Sequence, residues 1–358
     1  MTGRGIDQVL PHPSDPVLHE GYAATALDYV RLAEAANGPI PRRVEPSYIW
    51  GVALDEFKRM RPDARIVNLE TAITRSDDYV PKGINYRMRP DNVACLTAAG
   101  IDCCELANNH ILDWGQRGLL DTLAALQHIH IKTAGAGPSR DQAGIPAVLD
   151  IAGNGRVLVF AFACTSSGTP RSWAATSAKP GINLLAEVSE ATAAVVADHI
   201  ARIKKPGDQV IVAVHWGENW GYAVPDQHRR FAHALIDKAG VAVIHGHSSH
   251  HPKAIELYRD RLILYGCGDF LNDYEGIRGY ERYRDDLVLM YFADIEPAGT
   301  LAALELVPLQ IRNFQLVRPS EQDVRWMQQT LDRESRKFGA AISLRQHGRL
   351  ALSWQHGT

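Results

Sequence analysis

The feature that most constrains this chain is the regular alternation of short apolar segments with amphipathic segments. Apolar runs rich in β-branched residues occupy positions 65–68, 101–106, 156–164, 209–215, 241–245 and 262–267. Stretches with the spacing of amphipathic helices lie between them at 116–128, 189–204 and 226–239. Buried strands that alternate with helices are typical of α/β proteins. The sequence therefore predicts an α/β fold.

The last part of the chain follows a different pattern. Apolar segments at 287–293 and 301–316, joined by a turn at 297–300, predict two successive antiparallel strands. An amphipathic stretch at 320–337 predicts a final helix. A mixed sheet follows from these two patterns together. We expect one domain over residues 1–318, with residues 319–358 forming a C-terminal helix and tail packed on the same domain.

Charge and composition exclude two classes of partner. The 38 Lys and Arg residues nearly balance the 41 Asp and Glu residues, and the formal net charge is -3. Because a nucleic-acid surface needs clustered cations, no nucleic-acid partner is expected. The chain also lacks a run of the roughly 20 apolar residues that a membrane-spanning helix needs. Residues 1–10 contain no signal-peptide core, so we expect a cytoplasmic protein.

Polar side chains follow the apolar runs where strands are predicted to end. Glu70 comes just after one run, Asn109 after the next and His215 at the end of a third, while His247 and His250 follow a fourth. Because the carboxyl ends of parallel strands open into one crevice, we expect these side chains to lie together. Carboxylate, amide and imidazole groups from separate segments are suited to a divalent cation, with Mn, Fe, Zn or Ca as candidates.

Five motifs, in this order, resemble those of a known family. They are Asn68-Leu-Glu70-Thr-Ala-Ile-Thr74, Leu106-Ala-Asn-Asn-His110-Ile-Leu-Asp113-Trp-Gly115, Gly135-Ala-Gly137, His215-Trp-Gly217-Glu-Asn and Leu264-Tyr-Gly-Cys-Gly-Asp-Phe270. Together they resemble the CapA family, which is named for poly-γ-glutamate capsule synthesis and is related to the calcineurin-like metallophosphoesterases. The resemblance covers residue 1 to about residue 316. It implies a calcineurin-like αββα sandwich.

The resemblance also implies roles for individual residues. In the calcineurin-like pattern an Asn-His pair supplies a metal ligand and a catalytic imidazole, which makes His110 the catalytic imidazole here. Asp113 lies three residues later, where it either orients that imidazole or caps the following helix. His250 is assigned to both metal binding and catalysis. The full set of metal ligands that the resemblance implies is Glu70, Asn109, His215, His247 and His250.

Other residues are candidates for substrate contacts: Asn68, Arg4, Arg87 and Asp269. Arg87 belongs to a cationic segment that either holds an anionic substrate or forms a solvated loop. Asp269 stands where the family more often has Asn, and it adds a carboxylate near the histidines. We interpret His245 as a buried residue on the opposite face of its strand from His247.

The start of the chain departs from the family pattern. CapA-like chains usually have a Gly-Asp pair just before a segment that resembles residues 1–7, and the aspartate is the family's first metal-ligand candidate. That pair is absent here. We expect the native chain to begin a few codons upstream, which would leave the first strand truncated. The alternative is that Asp7 or a water takes the place of the aspartate.

The resemblance leaves three functions open. The first is a metal-dependent enzyme that acts on a poly-γ-glutamate or peptide-type substrate by metal-assisted hydrolysis or acid/base chemistry. The second is a peptide Cα epimerase, in which a cation acidifies the Cα proton. The third is a non-catalytic accessory protein of capsule polymer synthesis, which would act with biosynthetic partner proteins.

Overall fold

The computed structural model describes residues 1–153 and 155–354. Its strands are β1 (Ile66–Asn68), β2 (Ala72–Ile73), β3 (Arg87–Met88), β4 (Cys103–Glu105), β5 (Lys132–Ala134), β6 (Ala136–Gly137), β7 (Ala147–Ile151), β8 (Gly155–Ala163), β9 (Gly181–Ile182), β10 (Gln209–His215), β11 (Val243–His247), β12 (Ile255–Tyr258), β13 (Arg261–Leu264), β14 (Leu287–Ile295), β15 (Leu301–Arg312), β16 (Gln315–Val317), β17 (Ala340–Leu344) and β18 (Leu350–Trp354). Its helices are α1 (Gly5–Val9), α2 (Leu27–Asn37), α3 (Ala53–Met60), α4 (Ala94–Ala98), α5 (Gly115–His128), α6 (Arg140–Gly144), α7 (Glu190–Ile203), α8 (Asp226–Ala239) and α9 (Glu321–Ser335).

Two sheets form the centre of the molecule. One has six strands in the order β12-β13-β11-β10-β8-β7, parallel in the middle and antiparallel at both edges. The other has three parallel strands in the order β1-β4-β5. The predicted mixed sheet is confirmed, with β7 and β12 as its antiparallel edge strands, whereas the antiparallel strands predicted within 287–316 lie in a separate sheet.

Side chains on β8 alternate between two apolar cores. Phe160 and Phe162 pack with residues of α7 and α8, whereas Val159 and Ala161 pack with residues of the three-stranded sheet and α5. This period of two places the sheets face to face, with helices on both outer sides. Gly135 shows how close they come, since a Cβ there would lie 2.7 Å from the Ala161 Cβ. The predicted αββα arrangement is confirmed in the described residues.

The C-terminal part adds a third, antiparallel sheet. Its order is β14-β15-β18-β17, and β16 also pairs with β15. The predicted antiparallel strands and final helix are confirmed. The tail after α9 also forms two strands, β17 and β18, that the sequence analysis does not predict. Apolar residues of this sheet and α9 share one core with the β12 and β13 edge of the six-stranded sheet.

Strand register brings polar residues to one end of the two central sheets. At the carboxyl ends of β10 and β11, His215 lies beside His247. In the three-stranded sheet Asn68 lies beside Glu105. Because both sheets open toward the same region, their carboxyl ends form one polar crevice. Over the described ranges, no helix is long and apolar enough to cross a membrane.

Candidate functional site

Three potential ligand atoms face one another in this crevice. The Oδ1 atom of Asn109 lies 3.1 Å from Nε2 of His215, and Oε1 of Glu70 lies 3.9 Å from the same nitrogen. His250 is close enough to affect the pKa of both Glu70 and His215. We call Glu70, Asn109, His215 and His250 the outer set. Glu70, Asn109 and His250 come from segments after strands and His215 is the last residue of β10, as the sequence predicts. Their role as ligands stays a prediction.

Glu70 is held by a chain of side-chain amides. Nδ2 of Asn68 donates to its Oε2 over 2.8 Å, and Nδ2 of Asn108 donates to Oδ1 of Asn68 over 3.0 Å. Burial would raise the pKa of Glu70, but His215 and His110 lower it below the ordinary value. The carboxylate is therefore anionic at neutral pH. Asn68, predicted as a substrate contact, is placed as the residue that orients this carboxylate.

His110 lies beside the outer set in a network of its own. Its Nδ1 is 2.7 Å from Oδ2 of Asp113, and Nζ of Lys82 lies 3.0 Å from the other carboxylate oxygen. Burial lowers the pKa of His110 well below its ordinary value, and Lys82 lowers it further. Burial raises the pKa of Asp113 to about 7 against the effect of Lys82. Of the two predicted roles of Asp113, the contact with Nδ1 agrees with orienting His110. Within the described residues no side chain caps the N-terminus of α5.

His250 has the opposite electrostatic environment. Its Nδ1 lies 3.1 Å from both oxygens of Asp269, whose Oδ2 also accepts from Nδ2 of Asn272 over 2.9 Å. Burial alone would lower the pKa of His250, but the Asp269 carboxylate raises it above the ordinary value. Asp269, predicted as a substrate contact, is placed as the partner of this imidazole. The crevice therefore contains two imidazoles that favour the neutral form, His110 and His215, and one, His250, that favours the cation.

A second cluster lies behind His215, between the two sheets. We call Glu105, His245 and His247 the inner cluster. Their candidate ligand atoms all lie within 4.8 Å of one another, and Nδ1 of His247 is 2.7 Å from Nδ1 of His215. Burial, and then His215, lower the pKa of His247 well below its ordinary value. His247 is therefore placed between the outer set and Glu105.

The inner cluster corrects the interpretation of His245. Strand β11 continues through His247, and residues two apart on a strand point to the same face. His245 and His247 consequently both face Glu105, at 2.8 Å and 3.6 Å. Sequence reasoning missed Glu105 as well. Its signal was a carboxylate at the end of the otherwise apolar run Cys103-Cys104-Glu105-Leu106.

Comparison with known proteins gives the family. The family described as "Bacterial capsule synthesis protein PGA_cap" matches residues 1–274. The chain belongs to this family. It is 46% identical over 348 residues to a protein of Mycobacterium tuberculosis named "Probable polyglutamine synthesis accessory protein", covering 96% of this chain and 91% of that protein. The resemblance to CapA that the five motifs carry is therefore confirmed.

Two more distant similarities complete the comparison. The protein named "PGA biosynthesis protein CapA" of Bacillus subtilis is 28% identical over 246 residues, which span 68% of this chain and 60% of that protein. The solved structure of the NAD nucleotidase of Haemophilus influenzae has 15% sequence identity and a TM-score of 0.32, covering 64% of this chain and 41% of that one. This structural similarity is too low to carry an argument about fold or activity.

Arg4 and Arg87, two cationic residues predicted to contact substrate, are not among the candidate ligand residues of the crevice. Arg4 is 3% exposed, and it pairs with Asp273 at 2.5 Å and Glu20 at 3.1 Å. Arg87 is also buried, donates to Asp77 over 2.8 Å and lies over the Trp114 ring. The predicted substrate contacts of both residues do not agree with this placement, because Arg4 is paired with buried carboxylates and the buried Arg87 is packed on the Trp114 ring. Arg87 is likewise not part of a solvated loop.

Proposed function

We propose that this chain is a metal-dependent enzyme that acts on a poly-γ-glutamate or peptide-type substrate. The observation that carries the proposal is the convergence of Glu70 Oε1, Asn109 Oδ1 and His215 Nε2 beside two imidazoles of opposite protonation preference. Membership of a capsule synthesis family supports the substrate class. The relative in Mycobacterium tuberculosis is named for polyglutamine synthesis and the one in Bacillus subtilis for PGA biosynthesis.

The outer set fits a divalent cation by its chemistry. Two potential ligand atoms that lie 3.1 Å apart, Asn109 Oδ1 and His215 Nε2, have the separation of neighbouring ligands on one ion. The anionic carboxylate of Glu70 supplies the compensating charge. Such a cation would polarise a substrate carbonyl and lower the pKa of a bound water. Mn, Fe and Zn accept this mixture of oxygen and imidazole ligands, whereas Ca prefers oxygen ligands alone.

One imidazole provides the proton transfers that amide hydrolysis requires. His110 favours the neutral form, and Asp113 holds its Nδ1, so Nε2 is available to accept a proton from the attacking water. His110 then returns this proton to the departing amine, while His250, whose Nδ1 is held by Asp269, would bind the cation through Nε2 after losing its own proton. Water thereby adds across the amide bond, with oxygen on the carbonyl carbon and hydrogen on nitrogen. Asn68 and Asp269 act in this scheme by positioning Glu70 and His250.

Two further functions have specific support. A neutral and a protonated imidazole in one crevice also suit a peptide Cα epimerase, where one removes the Cα proton and the other returns a proton. The name of the Mycobacterium tuberculosis relative favours an accessory protein that works with biosynthetic partners. The reaction products and the metal content of the purified protein distinguish these three functions.

The test is a product analysis on the metal-free and metal-loaded protein. Poly-γ-glutamate is incubated with protein that was stripped by a chelator and reloaded with Mn, Zn, Fe or Ca in turn. Size-exclusion chromatography reports chain length, and chiral analysis of the hydrolysed polymer reports the D to L ratio. We expect metal-dependent shortening at a constant D to L ratio, and loss of shortening in His215→Ala.

Two other results would identify the alternative functions. A changed D to L ratio at constant length identifies an epimerase. No change in either property, with no stoichiometric metal by elemental analysis, identifies an accessory protein. The matched control is His128→Ala, since His128 is an exposed residue at the end of α5. This variant should shorten the polymer as the wild type does.

A further inference from the structure

The inner cluster joins the two central sheets through ionisable groups inside the protein. Glu105 ends β4 in the three-stranded sheet, and it is fully buried. His245 and His247 come from β11 in the six-stranded sheet. Glu105 Oε2 lies 2.8 Å from Nδ1 of His245 and 3.6 Å from Nε2 of His247. A carboxylate and two imidazoles thus meet at one point between the sheets.

Two atoms at this point lack a hydrogen-bond partner. Among the described residues, neither Nε2 of His247 nor Oε2 of Glu105 has a hydrogen bond of acceptable geometry. Both side chains are more than nine-tenths buried. An unsatisfied polar atom in the interior costs about 1–3 kcal/mol, and such atoms in native proteins usually mark a ligand, an ion or a water. The two atoms face each other, so one ligand between them would satisfy both.

We propose that Glu105, His245 and His247 form a second cation site of the zinc type. Two imidazole nitrogens and one carboxylate oxygen are a common protein ligand set for zinc, with a further position left open. Tetrahedral zinc with bonds near 2.1 Å separates its ligand atoms by about 3.4 Å. The separation between Glu105 Oε2 and His247 Nε2, 3.6 Å, is close to this value. Nδ1 of His245 is hydrogen-bonded to the other oxygen, Oε1 of Glu105, over 3.1 Å, and zinc would displace the proton of this contact.

The inner site is distinct from the outer set because it uses other atoms. The outer set includes Nε2 of His215, whereas the inner cluster includes Nε2 of His247, and the Nδ1 atoms of these two residues are in contact. A neutral imidazole carries a proton on only one of its two nitrogens. The contact between the Nδ1 atoms of His215 and His247 needs one proton, which belongs to one of the two residues. If His247 holds it, Nε2 of His247 is free to bind zinc. If His215 holds it, Nε2 of His215 is free instead, so the two sites compete.

The test measures zinc binding in full-length variants by chelator competition and by cobalt absorption spectra. The variant Glu70→Gln/His215→Ala disables the outer set and should still bind one zinc per chain. Adding Glu105→Gln should abolish this binding. The matched control adds Glu256→Gln instead, because Glu256 is also buried and lies 3.0 Å from Nε2 of His233 on the far side of the six-stranded sheet. The control should keep one zinc.

The outcomes are decisive in both directions. Loss of zinc on Glu105→Gln but not on Glu256→Gln, with similar circular dichroism spectra, supports the inner site. Two results overturn it: no zinc in Glu70→Gln/His215→Ala, or equal zinc affinity with and without Glu105→Gln. If the variant with Glu105→Gln does not fold, His245→Gln in the same background replaces it, with the same expected loss. The proposed enzyme activity is judged separately on the wild type, so either idea can fail alone.

Discussion

The outer set and the inner cluster contain the same kinds of side chain, yet they differ in how the fold presents them. The outer residues Glu70, Asn109 and His250 lie on loops after strands, where a substrate can approach. Glu105, His245 and His247 lie within the strands themselves, and Glu105 is fully buried between two sheets. His215 ends β10 beside His247, yet it belongs to the outer set through Nε2, so the direction of the side chain as well as its position on the strand separates the two groups.

Within the crevice itself, hydrogen-bond partners divide the imidazoles by charge. Lys82 adds to the effect of burial and keeps His110 neutral, whereas Asp269 overcomes burial and favours the cationic form of His250. Two chemically identical side chains thus favour opposite protonation states, because the neighbouring charge is positive for His110 and negative for His250. The predictions below test this division and the separation of the outer set from the inner cluster.

The largest effect is expected for His110→Ala. Because His110 is assigned to proton transfer, turnover should fall by about 10²–10⁴-fold while metal content stays at the wild-type level. His250→Ala should lose both turnover and metal. Elemental analysis and activity on the same preparations check this, and equal loss of metal in the two variants would show that the division of roles is wrong.

A smaller effect is expected for Asp269→Asn. The carboxylate holds His250 through two contacts of 3.1 Å, and loss of such a partner typically costs about 10–100-fold in metal affinity. Titration with Mn or Zn measures this affinity. The inner cluster should not respond, so zinc binding in the Glu70→Gln/His215→Ala background should be the same with and without Asp269→Asn. A loss there would mean that the two sites are one.

The pH dependence of stability is expected to change in Asp113→Asn. The folded protein holds the proton of Asp113 up to about pH 7, whereas an unfolded chain loses it near pH 4. Between these values the folded state binds more protons, so stability falls as pH rises, by up to about 1.4 kcal/mol per pH unit. The Asn variant lacks this contribution.

Urea unfolding at pH 5 and pH 6 measures the difference. The free energy of unfolding of the wild type should decrease relative to that of Asp113→Asn over this interval. Because Asp113 contacts Nδ1 of His110 over 2.7 Å, the comparison is repeated in the His110→Ala background, where His110 no longer titrates. Parallel pH profiles would show that Asp113 is ionised in the folded state.

Much of the fold and of the outer set is predictable from the sequence, for a physical reason. Period-two burial in β8 and helical spacing in α8 are local patterns, and polar residues after strands report the crevice directly. Glu105 and His245 are not predictable in this way, because their meeting depends on how two sheets face each other. The strands after α9 are missed because small residues, Ala341 and Ala351, occupy half-buried positions, so buried and exposed positions are not distinguished by residue type. Burial of Arg4 likewise depends on distant partners such as Asp273.

The smallest effect is expected for Asn68→Ala, which tests how the outer set is held without removing a ligand. Asn68 donates one hydrogen bond of 2.8 Å to Glu70, and such a bond contributes about 1 kcal/mol. Metal affinity should therefore fall by about fivefold, which calorimetric titration resolves. Asn68→Asp is the informative companion, since it places a second carboxylate against Glu70 and removes the donor. Repulsion between the two carboxylates should lower the stability of the metal-free folded protein. Because a bound cation offsets this repulsion, metal should stabilise the variant more than it stabilises the wild type. If Asn68→Ala and the wild type have equal affinity, Glu70 is positioned by the backbone and not by its amide partner.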